Sequence, residues 1–133
     1  MALTFLDADV LIHFLRRHPP TMRALSRMQE EGAEFAVTSI NVAEVLRGAQ
    51  PPDRNHAAVA ALLQALTEVP AGPRVARRYG QVMAALDRAG RKMPEVDGLV
   101  AATVLSEGGR LVSGNRRHFE RVAGLDLVVL RKA

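Results

Sequence analysis

The chain of 133 residues is 48% hydrophobic, enough for one compact domain with its own core and too short for a second. It contains no cysteine, which excludes a disulfide scaffold, a thiolate zinc site and a cysteine nucleophile. Eighteen basic residues, all Arg except Lys92 and Lys132, oppose 14 acidic ones for a net charge of +4; the surplus suits a polyanionic partner, and a compositional preference for Arg over Lys gives the same figure.

From the N-terminus, the apolar run Leu3 to Leu6 predicts a buried strand, and Asp7 breaks it before Val10 to Leu15 resume as a helix ending at Arg16, Arg17 and His18. Thr21 is placed to cap a second helical piece carrying Met22, Leu25 and Met28, stopped by Gly32. Phe35 to Thr38 reads as a second strand, and Ser39 or Asn41 begins a helix through Val42, Val45 and Leu46. Asp53 is placed to cap the next helix, with Val59, Leu62, Leu63 and Leu66 at helical spacing. A brief extended segment at Glu68 and Val69 precedes a long helix from Val75 to Gly90, and Asp97 to Leu105 forms another. Leu111 and Val112 make a strand running into Ser113, Gly114 and Asn115, and Leu127 to Leu130 a last one before a basic tail.

Short, continuously apolar strands alternating with helices predict an α/β fold: a three-layer α/β/α sandwich around a mostly parallel sheet of four to five strands, in a single domain over residues 1–133. No apolar run approaches a membrane span, and MALTFL runs into Asp7 and Asp9 instead of continuing as a signal segment, so a cytoplasmic protein is expected. Aromatics at 4% argue against recognition by stacking unpaired bases on aromatic platforms.

Most acidic residues fall where solvent is expected, but four do not. Asp7 and Asp9 interrupt a strand-to-helix transition, Glu44 lies inside INVAEVLRG and Asp97 opens DGLVAATVL. A carboxylate among apolar groups costs several kcal/mol unless something compensates it, and several together suggest a shared cation. In an open parallel sheet the crevice lies beyond the carboxyl ends of the strands, where Asp7 and Asn115 follow predicted strands and Glu44 and Asp97 lie near helix beginnings. Oxygen ligands without His or Cys point to Mg²⁺ or Mn²⁺, and such ions usually serve phosphate chemistry, so phosphodiester hydrolysis is the economical expectation. Each acid has an ordinary reading beside this one. Asn41 and Glu44 have capping-box spacing, Asp97 suits a helix N-terminus, and Asp7 or Asp9 can cap the first helix. His13, His18, His56 and His118 show no metal-ligand spacing and are read as non-ligands at the surface or core edge.

Four segments in order, FLDADVLIHFL, TSINVAEVLRG, PEVDGLVAATVL and LVSGNRRHFERV, give the chain a nearly full-length resemblance to the PIN domain, and within it to the VapC toxin branch of type II toxin-antitoxin systems. The resemblance implies a Mg²⁺- or Mn²⁺-dependent endoribonuclease. Asp7, Glu44 and Asp97 match the three metal-binding acids, and Ser39 and Ser113 match accessory hydroxyl positions, with Asp9 beside them. Asn115 falls where many members carry a fourth catalytic acid; an amide brings no charge, so a second metal is expected to bind more weakly. Arg16, Arg116 and Arg117 are the candidates for gripping RNA. The resemblance further implies a homodimer and a VapB-type antitoxin whose tail lies in an apolar groove, for which Leu11, Leu15, Leu25, Met28 and Leu46 are candidate linings and equally candidate core.

Two other readings remain open. Asp7-Ala-Asp9 after a strand also resembles an aspartyl-nucleophile phosphatase, with Lys92, Glu95 and Asp97 as its later residues. An inactive PIN-fold binding module is the other, with Asn115 as its support.

Overall fold

Strand β1 (Leu3–Leu6) lies in the middle of a five-stranded sheet in the computed structural model, which describes residues 2–130. Helices α1 (Ala8–Leu15) and α2 (Pro19–Glu30) carry the chain to β2 (Glu34–Thr38), and α3 (Ser39–Arg47) and α4 (His56–Gln64) carry it on to the edge strand β3 (Thr67–Val69). Helices α5 (Pro73–Arg88) and α6 (Glu95–Glu107) then return it across the sheet to β4 (Arg110–Ser113), on the other side of β1. A short helix α7 (Arg116–Phe119) leads to β5 (Asp126–Val129) at the far edge. The order is β3-β2-β1-β4-β5 and all four pairings are parallel. The predicted basic tail, Arg131 and Lys132, lies outside the described residues.

The period-two alternation of a strand explains the apolar runs. Phe5, Ala36 and Leu111 enter one core cluster with Leu86, Val100 and Phe119, from α5, α6 and α7. Their chain neighbours Leu6, Val37 and Val112 enter a second cluster with Val10, Leu25, Val45 and Val59, from α1 to α4. Both sheet faces are covered, so neither set of alternate positions is free to be polar, and the three-layer sandwich follows.

Local chemistry sets the helix ends, in places differently from expectation. Helix α2 starts ahead of Thr21: His18 occupies the cap, Pro19 and Pro20 take first-turn positions that need no backbone donor, and the buried Thr21 hydroxyl lies 3.1 Å from His18 Nδ1. Helix α3 starts at Ser39, capped by Thr38, whose Oγ1 accepts from Asn41 N at 3.0 Å. Asn55, not Asp53, precedes α4; Asp53 instead accepts from Asn55 N at 2.7 Å in the turn before the helix. Gly108, at φ +67°, ends α6 in a left-handed conformation that favours glycine. Helix α7 was not expected from sequence at all.

Candidate metal centre

The strand order reverses at β1 and β4, and the crevice beyond their carboxyl ends is where an open parallel sheet binds its ligands. Asp7 follows β1 directly and is 8% exposed. It is the N-cap of α1: Oδ1 accepts from Ala8 N at 2.9 Å and from Asn41 Nδ2 at 3.0 Å, while Oδ2 accepts from the fully buried Ser113 hydroxyl at 2.7 Å. Burial, with Asp9 and Asp97 adding repulsion, outweighs the hydrogen bonds from Ser113 and Ala8 and raises its pKa from 3.8 to about 6.

Asp9 is therefore not the cap. From the first turn of α1 its Oδ2 accepts from Gly114 N at 2.9 Å, and a side chain at Gly114 would displace it, since a Cβ would stand 2.5 Å from that oxygen. Its other oxygen, Oδ1, is buried without a partner.

Asn41 joins two of the acids. It is fully buried on α3, and its amide nitrogen donates to Asp7 Oδ1 and, at 2.8 Å, to Glu44 Oε1. Thr38 Oγ1 donates to Asn41 Oδ1 at 3.1 Å, so the amide cannot be turned over without setting its oxygen against two carboxylates. The Asn41–Glu44 spacing is thus a side-chain bond on one helical face; Thr38 does the capping. Desolvation, with repulsion from Asp97 and Asp9, raises the Glu44 pKa above its ordinary value despite the bond from Asn41.

Asp97 sits in the first turn of α6, its Oδ2 only 2.6 Å from His118 Nδ1. An ionised carboxylate only accepts, so this contact places the ring proton on Nδ1. Asn115 caps α7: its Oδ1 accepts from His118 N at 3.3 Å, while its Nδ2, 2.9 Å from His118 Nδ1, is a close neighbour and not a hydrogen-bond partner when Nδ1 donates to Asp97.

A pocket of about 330 Å³ brings Asp7, Asp9, Glu44, Asp97 and Asn115 together, with Ser113 behind Asp7. Ser39 is turned elsewhere and donates to Glu68 Oε2 at 2.6 Å. Arg16 is exposed at the end of α1, Arg116 pairs with Glu120 at 3.0 Å, and Arg117 lines a different depression. Sequence reasoning took the Asn41–Glu44 spacing as a capping box and so missed the bond from Asn41 to Asp7; it also missed His118, at the same spacing from Asn115.

Among the described residues no three acids or histidines already converge on one point at ligating distance. The carboxylates line a common space. The donor set fits a hard divalent cation all the same. It is entirely oxygen, one acid is held desolvated, and Asp9 Oδ1 is a buried acceptor with nothing to accept from.

A parallel sheet in this order, with an all-oxygen acidic pocket where the order reverses, defines the class: residues 4–125 match the PIN domain model, and the chain belongs to that family. Within the family it is of the VapC type. It is 37% identical over 123 residues to Ribonuclease VapC2 of Haemophilus influenzae, spanning 90% of this chain and 92% of that protein. It is 29% identical over 123 residues to the tRNA(fMet)-specific endonuclease VapC of Shigella flexneri, again spanning 90% and 92%. The DNA-bound VapBC structure from Salmonella typhimurium superposes with a TM-score of 0.87 at 27% identity, over 98% of this chain and 99% of that one.

Proposed function

We propose that the protein is a Mg²⁺- or Mn²⁺-dependent endoribonuclease, the toxin half of a toxin-antitoxin pair. The observation that carries the reading is the gathering of Asp7, Asp9, Glu44 and Asp97 in one pocket at the β1–β4 edge, in a chain whose relatives are named ribonucleases. Asp7, Glu44 and Asp97 would hold the ion, which when bound polarises a phosphodiester and makes a neighbouring water more acidic. Ser113 and Asn41 fix the two oxygens of Asp7, and Asn41 sets Glu44 against it, so the ligands are oriented before the substrate arrives. His118 donates to Asp97 through Nδ1 and holds that carboxylate in turn.

The phosphatase reading does not fit the geometry. Both oxygens of Asp7 are engaged, and Lys92, which that chemistry needs beside the nucleophile, lines another depression. A VapB-type antitoxin is the proposed partner, and an apolar groove of about 620 Å³ is the proposed seat for its tail. Of the groove candidates Leu11 and Leu25 line it, beside Phe14, Met22 and Leu62; Leu15, Met28 and Leu46 pack in the second core cluster instead. Residence in the cytoplasm and a homodimer complete the proposal. Among the described residues no helix is long and apolar enough to cross a membrane.

The test is cleavage of a total-RNA pool by purified protein. Cleavage should require Mg²⁺ or Mn²⁺, stop in EDTA and fall at least about a hundredfold in Asp97→Asn. Full cleavage by that variant would refute the assigned site, and no cleavage with Mn²⁺ would favour a binding module.

A further inference from the structure

Away from the acids, positive charge collects in a second depression of about 560 Å³, lined by Gly90, Arg91, Lys92, Arg117, Glu120 and Arg121. Four of these are cations, and the one carboxylate, Glu120, is already bonded to Arg116. The walls come from separate parts of the chain. The turn after α5, which reverses at Gly90 with φ +68°, supplies Arg91 and Lys92; α7 and the residues after it supply Arg117 and Arg121.

Both walls are anchored. Met93 on one, and Phe119 and Val122 on the other, are buried in the same core cluster, and Arg121 Nη1 donates to the Lys92 carbonyl at 2.6 Å. Packing therefore fixes the two backbone walls that carry these largely exposed side chains, and an anion between the walls relieves the repulsion among them. The walls also lead into the acid pocket. The chain leaving Lys92 enters α6, whose first turn carries Asp97, and Arg117 immediately precedes His118, which is bonded to Asp97.

We propose that this depression binds a backbone phosphate of the RNA strand next to the scissile one, so that the strand runs from the cations across the acids. The inference rests on the ribonuclease reading. Guanidinium forks match phosphate oxygens two at a time, and no aromatic side chain lines the depression, so the contact is to backbone and indifferent to base. An acidic protein segment fits less well, because its continuation would meet the uncompensated carboxylates without the phosphates that a divalent ion can bridge to them.

Fluorescence anisotropy with a fluorescein-labelled, random-sequence single-stranded RNA in EDTA tests this directly. The wild-type protein is compared with Arg91→Ala/Lys92→Ala and with Arg117→Ala over a salt series, circular dichroism confirming that each variant is folded. The double variant should bind about tenfold more weakly, with a slope of log affinity against log salt shallower by about 0.7, the value for one lost phosphate contact on a single strand. In Mg²⁺ its KM for RNA should rise while kcat stays within about twofold, since no group at the acids is altered. Wild-type affinity and slope in both variants, or a fall in kcat with KM unchanged, would overturn the proposal. If the wild-type protein cleaves no RNA, the ribonuclease reading fails by itself and the anisotropy comparison still decides the basic depression; absence of RNA binding even at low salt overturns the depression too.

Discussion

Asn41 holds two carboxylates in place with the two hydrogens of one amide, and Asp7 is the more confined of the pair. Its pKa is about 6 in the folded protein against 3.8 when unperturbed, so between those values the folded state binds the proton and the unfolded state does not. Stability of the metal-free protein therefore falls as pH rises from about 4 to about 6, and the cost is fully present above that. Asp7→Asn removes the charge and should stabilise the protein in EDTA at pH 7.5 or so by up to about 3 kcal/mol, the gain vanishing near pH 4. Urea unfolding across this range measures it; parallel curves for the two proteins would show that the buried charge costs nothing. The four acids were legible because carboxylates are out of place in apolar sequence. Asn41 and His118 were not, since an Asn near a helix start and a His among arginines look ordinary until partners 34 and 21 residues away are known.

Elements show the same division between local and distant causes. Strands β1, β2 and β4 were legible because both of their faces are buried, which leaves a continuous apolar signature. The start of α2 was misplaced because a Thr followed by apolar periodicity outweighed two prolines that in fact open the helix. Helix α7 is four residues long, below the length at which periodicity exists, and its formation depends on the Asn115 cap and on burying Phe119. Gly109, between α6 and β4, illustrates a constraint that only the fold imposes. A Cβ there would lie 2.6 Å from the Leu3 carbonyl oxygen and 2.9 Å from the Phe5 ring. Backbone cannot yield as a side-chain tip can, so Gly109→Ala should destabilise by about 1–3 kcal/mol in equilibrium unfolding. A loss below a few tenths would mean that β1 and β4 separate more easily than their pairing suggests.

At the scale of the molecule, the net charge of +4 conceals local concentrations of both signs: acids at the β1–β4 edge, and four cations around a depression formed by the α5–α6 turn, α7 and the residues after it. The proposed ion would bind the folded chain and not the unfolded one. Mn²⁺ at a hundredfold excess over its Kd should therefore add about 3 kcal/mol and raise Tm by roughly 10 °C in calorimetry, and Asp97→Asn should blunt the shift. An unchanged Tm with Mn²⁺ would count against any resident ion. The three-layer architecture was legible from composition and patterning. The strand order was not, because nothing in an apolar run says which neighbour it pairs with.

That order has a consequence in time. Asp7, Asp9 and Glu44 belong to the first third of the chain, but the strand that closes the pocket, β4, and the residues Asp97, Ser113 and Asn115 come from the last. A polypeptide emerging from the ribosome through α4 has β1 and β2 and no partner on the other side of β1. Until β4 docks, Asp7 lacks the Ser113 hydroxyl and Asp9 lacks the Gly114 amide. The acidic pocket is therefore complete only when nearly all of the chain exists, and no shorter length of it presents the full set of oxygen donors.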